Sequence, residues 1–151
     1  MPIEPITPRS DRELVASRHL PHSPQRVFDA FRDAEQLARW WGPNGFTNEF
    51  DEFDFSPGGA WTFTMCAPDG KRFANASRFT EIVEPSRVAL EHTSKPHFFL
   101  AFELQDVDGG TLVVMRQTFD SSDECARIAK YAGDGNEQNL DRLQALLAST
   151  S

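Results

Sequence analysis

The chain has 151 residues, a net charge of −8 at pH 7, and 13 Phe and 3 Trp against a single Tyr. This length is typical of one domain with its own core. The negative charge argues against nucleic acid or an anionic membrane as a partner. The sequence contains no run of 18 apolar residues, so we expect no membrane-spanning helix. Because Phe adds apolar area without a polar group, the aromatic composition predicts an apolar interior.

The first residues carry Pro2, Pro5 and Pro8 and show no periodic pattern. We therefore expect a flexible N-terminal arm over residues 1–12 and a single domain over residues 13–149. The arm lacks the basic and apolar regions of a secretory signal. Cys66 and Cys125 are isolated, which favours reduced thiols and a cytoplasmic location.

Residues 13–20 predict a first strand, and a helix is predicted to follow it directly. Ser23 can cap that helix, and Pro24 suits its first position. Apolar residues then recur at helical spacing, and Asp33 is expected to divide them into two short helices. They are Val27, Phe28, Ala30, Phe31, Ala34, Leu37 and Ala38. The second helix is expected to end at the Trp40-Trp41-Gly42-Pro43 segment.

From Thr47 the apolar pattern changes to period two, which predicts a series of strands. Gly- and Pro-containing turns separate them, as at Asp69-Gly70 and at Asp108-Gly109. The predicted strands cover residues 47–55, 60–67 and 72–83, a segment with Val88, Leu90 and His92 on one face, and residues 98–105 and 111–119.

The last segment returns to a helical pattern after Ser121 and Ser122. Its apolar positions share one face if the helix is continuous, but Gly133 and Gly135 interrupt it. A bent helix, two helices and a loop all remain open. The order predicts an α+β fold: a curved antiparallel sheet of six to seven strands wrapped around a long C-terminal helix, with two short helices after the first strand. A gap between sheet and helix would hold a ligand.

Several local motifs resemble the START-like, or helix-grip, superfamily, also described as SRPBCC or birch-pollen-allergen-like. Within it, the chain is similar to the domain family of the C-terminal domain of activators of the heat-shock protein 90 ATPase. The resemblance covers about residues 14–148. It rests on residues 23–31, 37–43, 55–61, 68–70, 79–88 and 139–143. The superfamily includes lipid carriers, small-molecule receptors, polyketide cyclases and chaperone co-factors, so the resemblance implies the helix-grip fold and leaves the function open.

The favoured hypothesis is a protein that binds a small hydrophobic or aromatic ligand between the sheet and the C-terminal helix. His92 and Gln117 alternate with apolar residues, so both are expected to face inward, where a polar group needs a partner. Gln117 is the best candidate for a polar anchor, unless it bonds to His92 or to backbone. The predicted lining consists of Trp41, Phe63, Met65, Phe79, His92, Phe102, Met115 and Gln117.

Two other functions stay open. A cyclase or dehydratase would move protons with His92 and either Gln117 or Glu81. A chaperone co-factor or other interaction module would show a large exposed apolar patch, and a homodimer is left open. We expect no metal, because the four His lack ligand spacing. The sequence contains no phosphate-binding motif, so we expect no cofactor. We assign no catalytic residue.

Overall fold

The computed structural model describes residues 6–149, with the exception of the Tyr131 side chain. The arm predicted over residues 1–12 therefore lies partly outside the described residues. The elements are β1 (Glu13–Leu20), α1 (Pro24–Arg32), α2 (Ala34–Trp40), β2 (Thr47–Phe53), β3 (Ala60–Cys66), β4 (Arg72–Val83), β5 (Arg87–His92), β6 (Phe98–Val107), β7 (Gly110–Phe119) and α3 (Ser122–Ser149).

The seven strands form one antiparallel sheet in the order β1-β7-β6-β5-β4-β3-β2. From β2 to β7 each strand pairs with the next one along the chain, and β1 returns to pair with β7. α3 packs against β1, β7 and α2. The predicted α+β helix-grip fold is confirmed. None of the helices within residues 6–149 combines the length and apolar composition needed to cross a bilayer.

The two short helices begin and end where the sequence predicts. The Ser23 hydroxyl accepts the backbone N–H of Arg26, and Pro24 occupies the first helical position. Asp33 ends α1 in an extended conformation, and its carboxylate accepts the N–H of Glu35 at 3.0 Å. One residue therefore both breaks the first helix and caps the second.

α3 is one continuous helix of 28 residues, so the alternatives of two helices or a loop at Gly133 and Gly135 are wrong. A Cβ at either glycine would contact nothing within 4 Å. Apolar contacts on both sides of the glycines hold the helix together: Ile128 is buried before them and Leu140 after them. This tertiary packing offsets the low helix propensity of the two glycines.

The sheet has two chemically different faces. The inner face packs against the helices and carries the aromatic core, which includes Trp61, Phe79 and Phe102. The outer face carries charged side chains, among them Arg116 and Glu13, whose Nη1 and Oε1 atoms lie 2.7 Å apart. Residues of one strand alternate between these faces, as the period-two pattern predicts.

Gly59 marks the tightest backbone approach in the sheet. A Cβ at this position would lie 2.0 Å from the carbonyl oxygen of Asp54, so no larger residue fits. The Gly59 carbonyl accepts the N–H of Phe79, and the neighbouring Gly58 N–H donates to the Phe79 carbonyl. The turn thereby connects the start of β3 to β4 and places Trp61 and Phe79 beside each other.

Candidate functional site

The eight residues of the predicted lining share the inner face or pack directly against it. Strand pairing places Phe63 opposite Asn75, and Phe102 opposite Met115. Trp41 and Met65 are half-buried. The buried members are Phe63, Phe79, His92, Phe102, Met115 and Gln117.

Trp61 lies at the centre of the aromatic residues on the inner face. Its ring stacks on Phe63 with a centroid distance of 4.6 Å and is parallel to Phe79 at 5.7 Å. The half-buried Trp41 approaches it edge-on at 5.0 Å. Contacts of this kind are favourable beyond the apolar area they bury.

The indole N–H of Trp61 has no hydrogen-bond partner within the part of the chain that the structure describes, although the residue is 1% exposed. Trp40 provides the contrast, because its own buried indole N–H donates to the Ala30 carbonyl at 3.0 Å. A buried donor without an acceptor costs about 1–3 kcal/mol of stability. The Trp61 indole N–H is therefore an unpaired hydrogen-bond donor surrounded by apolar side chains.

His92 lies at one end of the inner face, where both of its ring nitrogens have hydrogen-bond partners. Its Nδ1 lies 2.7 Å from the Pro96 carbonyl oxygen, and its Nε2 lies 2.8 Å from the side-chain oxygen of Asn75. The ring also stacks on Phe98 at 4.5 Å. Burial lowers the pKa of His92, an effect opposed by the bond to Pro96.

Gln117 bonds to neither of the partners that the sequence suggested. Its Oε1 accepts the side-chain N–H of Asn136, on α3, at 3.1 Å. Strand pairing places Gln117 opposite Leu100, within the inner face. The pair connects β7 to the middle of α3, close to Gly133 and Gly135 in sequence.

The inner face is incompletely covered where β3 and β4 meet their connecting turn. Met65 pairs with Phe73, and the Phe73 side chain is 47% exposed. We call this the open end of the inner face; Phe63 and Asn75 form the next pair inward. Large apolar side chains are thus accessible beside the polar group of Asn75.

The Trp41-Gly42-Pro43 turn is fixed to the C-terminal half of α3. The Arg142 guanidinium donates to the carbonyls of all three turn residues at 2.9–3.0 Å. Further bonds go to the carbonyls of Arg39 and Phe46. Asn139 adds two bonds, one to the Trp40 carbonyl and one from the Gly42 N–H. Burial lowers the pKa of Arg142.

The structure does not bring His92 together with Glu81, the carboxylate considered for proton transfer. Glu81 pairs with Arg87, and Glu103 joins Arg87 and Arg116 on the outer face. The described residues contain no group of three or more His, Cys, Asp or Glu side chains arranged to hold a metal.

Four pockets lie away from the predicted lining. One, of about 200 Å³ on the outer face, is lined partly by Arg87, Ala101 and Arg116. A second and a third, next to each other, border Arg39 and Arg142. The last lies beside His97 and the beginning of α3. None of the four includes any of the eight residues of the lining.

Sequence reasoning missed Trp61, Asn75 and Asn136 as candidate functional residues. The alternation of Trp61 with Phe63 and Met65 was a usable signal, because it places all three on one face. No comparable signal exists for Asn136. Its contact with Gln117 depends on the rotation of α3 about its own axis.

Comparisons with known proteins agree with this architecture. Residues 21–148 match the family model described as Activator of Hsp90 ATPase homolog 1-like protein. A search of curated proteins gives no significant match.

Solved structures from several bacteria show the same fold. A Nitrosomonas europaea protein has a TM-score of 0.86 and 20% identity, over 96% of this chain and 100% of its own. A Chromobacterium violaceum protein has a TM-score of 0.80 and 27% identity, over 89% and 96%. The AHSA1 protein of Silicibacter pomeroyi has a TM-score of 0.76 and 21% identity, over 92% and 99%.

Proposed function

Since the chain belongs to the family of Activator of Hsp90 ATPase homolog 1-like proteins, we propose that it binds a small hydrophobic ligand between the inner face and α3. The observation that carries this proposal is the open end, where Phe73 and Met65 leave apolar surface uncovered beside Asn75. The lining is the set of eight residues predicted from the sequence.

The apolar body of the ligand would pack against Met65, Phe63 and Phe73. Covering apolar surface contributes roughly 25 cal/mol for each Å² removed from water. Met65 suits this role because its unbranched side chain adapts to different shapes. Its Cε lies 2.6 Å from the position that a Cβ on Gly42 would occupy, so the side chain reaches the Trp41-Gly42-Pro43 turn.

Two buried polar residues would limit the kinds of ligand accepted. Burial lowers the pKa of His92, which favours its neutral form, and the Gln117 amide is uncharged. A ligand with a charge next to them would lose its hydration without gaining a counter-charge. The proposal therefore favours neutral ligands.

A matched pair of substitutions tests the location of this site. Phe73 lies on the inner face and Phe99 on the outer face, and both side chains are 47% exposed. We expect Phe73→Lys to weaken binding of the neutral fluorescent probe N-phenyl-1-naphthylamine at least tenfold, because it places a charge at the open end. Phe99→Lys should leave the affinity unchanged. The measurement is a fluorescence titration of each folded variant.

Equal effects of the two substitutions would contradict the proposed location. An absence of saturable binding to the unmodified protein, tested also with an acyl-chain probe, would contradict the function itself. Circular dichroism and the thermal midpoint of each variant separate a loss of binding from a loss of folding.

A further inference from the structure

The buried indole N–H of Trp61 is the starting point for an inference about the class of ligand. The donor has no acceptor among the described residues, and the side chain lies on the inner face. Native proteins pair nearly all buried polar groups, so an unpaired one calls for an explanation. An acceptor atom supplied by a bound molecule is such an explanation.

The rings around Trp61 restrict the shape of that molecule. Phe63 and Phe79 lie nearly parallel to the indole, with interplanar angles of 29° and 2°. Trp41 and Phe50 approach with angles of 63° and 73°. A flat ring system fits among parallel and edge-on aromatic rings better than a branched aliphatic one does.

Trp41, like Phe50 and Phe53, is a ring beside Trp61 that a ligand can displace at lower cost than a fully buried one. It is half-buried, whereas Trp61, Phe63 and Phe79 are almost completely buried. The backbone of Trp41 stays fixed through Arg142 and Asn48, which both donate to its carbonyl at 2.9 Å. A rotation of the Trp41 side chain would therefore open the edge of Trp61 without moving the turn.

We infer that the ligand of this site is a neutral, flat compound with a carbonyl or ether oxygen that accepts a hydrogen bond from the Trp61 indole N–H. The inference rests on the proposed function and adds the chemical class of the ligand. Among residues 6–149, leaving Tyr131 aside, the ring contacts of Trp61 are all with uncharged aromatic side chains, which disfavours an ionic ligand. These contacts are with Trp41, Phe50, Phe53, Phe63 and Phe79.

Two probes that differ by one functional group test the inference: 2-acetylnaphthalene and 2-ethylnaphthalene. Water solvates the ketone better, so a site without a donor binds the ketone more weakly. We expect the unmodified protein to bind 2-acetylnaphthalene about tenfold more tightly by calorimetry, the gain expected from one buried hydrogen bond. Trp61→Phe removes the N–H and keeps an aromatic ring, and it should abolish or reverse this preference.

A second readout uses the unmodified protein, so it does not depend on the folding of a variant. In a ¹⁵N-labelled sample, the indole N–H signal of Trp61 should move downfield with 2-acetylnaphthalene but not with 2-ethylnaphthalene. The indole signal of Trp40, already bonded to Ala30, should not show this difference.

The possible results separate the inference from the function beneath it. Binding of both probes with no preference for the ketone, or a preference that survives in Trp61→Phe, overturns the ligand class and leaves the proposed function standing. A failure of both probes, and also of N-phenyl-1-naphthylamine, overturns both.

Discussion

The two halves of α3 are attached to the rest of the protein in different ways. The C-terminal half carries Leu140, Leu143 and Leu147, which are 0% exposed in the main core. The N-terminal half carries Cys125 and Ile128, which belong to a smaller apolar cluster with Phe119. Gly133 and Gly135 lie between the halves, beside the Gln117–Asn136 bond.

The two halves of the helix are therefore expected to differ in local stability. The C-terminal half holds both the core and the Trp41-Gly42-Pro43 turn. The N-terminal half has fewer apolar anchors and leads to Asn136, which contacts the proposed ligand site. Segments with few buried apolar contacts open at lower free energy than a core does, so we expect the N-terminal half of α3 to open more readily than the C-terminal half.

The largest effect is expected at Arg142. Arg142→Met removes donors from five carbonyl oxygens, and unsatisfied buried acceptors cost about 1–3 kcal/mol each. Asn48 also donates to the Trp41 carbonyl, and the bond to the Arg39 carbonyl is exposed, so we expect a loss of roughly 3–5 kcal/mol in urea unfolding. Arg39→Met is the control, because Arg39 is exposed and near the same pockets. Equal losses in the two variants would refute the role of Arg142.

A second prediction compares apolar truncations in the two halves. Leu143→Ala should destabilise the protein by about 4 kcal/mol, and Ile128→Ala by about 2 kcal/mol, within the range for buried Leu and Ile residues. The difference arises because Leu143 belongs to the main core and Ile128 to the smaller cluster. Denaturant unfolding measures both values. A larger loss for Ile128→Ala would reverse the comparison on which this account depends.

The smallest effect concerns a histidine that connects β5 and β6 to the beginning of α3. The two ring nitrogens of His97 lie 2.7 Å from carboxylate oxygens of Glu91 and Asp120, so both nitrogens donate only when the ring is protonated. The bond to Glu91, which also bonds to Arg78, raises the pKa of His97, and Asp120 raises it further.

Since the pKa of His97 is higher in the folded state, its contribution to stability is complete below about pH 6.5, the value for an unperturbed histidine. The contribution is lost as the pH rises through the raised pKa. The stability difference between the unmodified protein and His97→Gln should therefore shrink from pH 6 to pH 8. Glu124 and Arg127 lie in the same pocket, so the test uses moderate salt to limit their influence. A difference that grows with pH would contradict this assignment.

His92 is expected to act in the opposite direction. Burial lowers its pKa, so protonation below about pH 6.5 favours the unfolded state. The charge of His97 also lowers the pKa of His92, so the difference between His97→Gln and the unmodified protein includes a change in the His92 contribution.

The sequence predicts the sheet and both short helices because their signals are local. The alternation of side chains along β3 identifies the inward face of the strand. Asp33 marks a helix boundary because its carboxylate caps the next helix. The continuity of α3 through Gly133 and Gly135 was left open, because apolar contacts from distant strands decide it. Local helix propensity gives only the free-energy cost of placing two glycines inside a helix.

The site is predicted less completely for a similar reason. The inward orientation of His92 and Gln117 follows from strand alternation. Their partners, Pro96 and Asn136, depend on a loop and on the rotation of a helix that no spacing rule supplies. Whether the Trp61 indole N–H finds an acceptor depends on every side chain packed around it. No motif around that residue could reveal it.

Hydrogen exchange of the backbone amides, with and without N-phenyl-1-naphthylamine, tests the central claim most directly. Without the probe, the amides of residues 137–149 should exchange more slowly than those of residues 122–136. With the probe, protection should rise in β3 and β4 near Met65 and Phe73, and around Asn136 of α3, whose side chain bonds to Gln117 of the predicted lining. Protection that rises only on the outer face, or nowhere on β3 and β4, would contradict a ligand site between the inner face and α3.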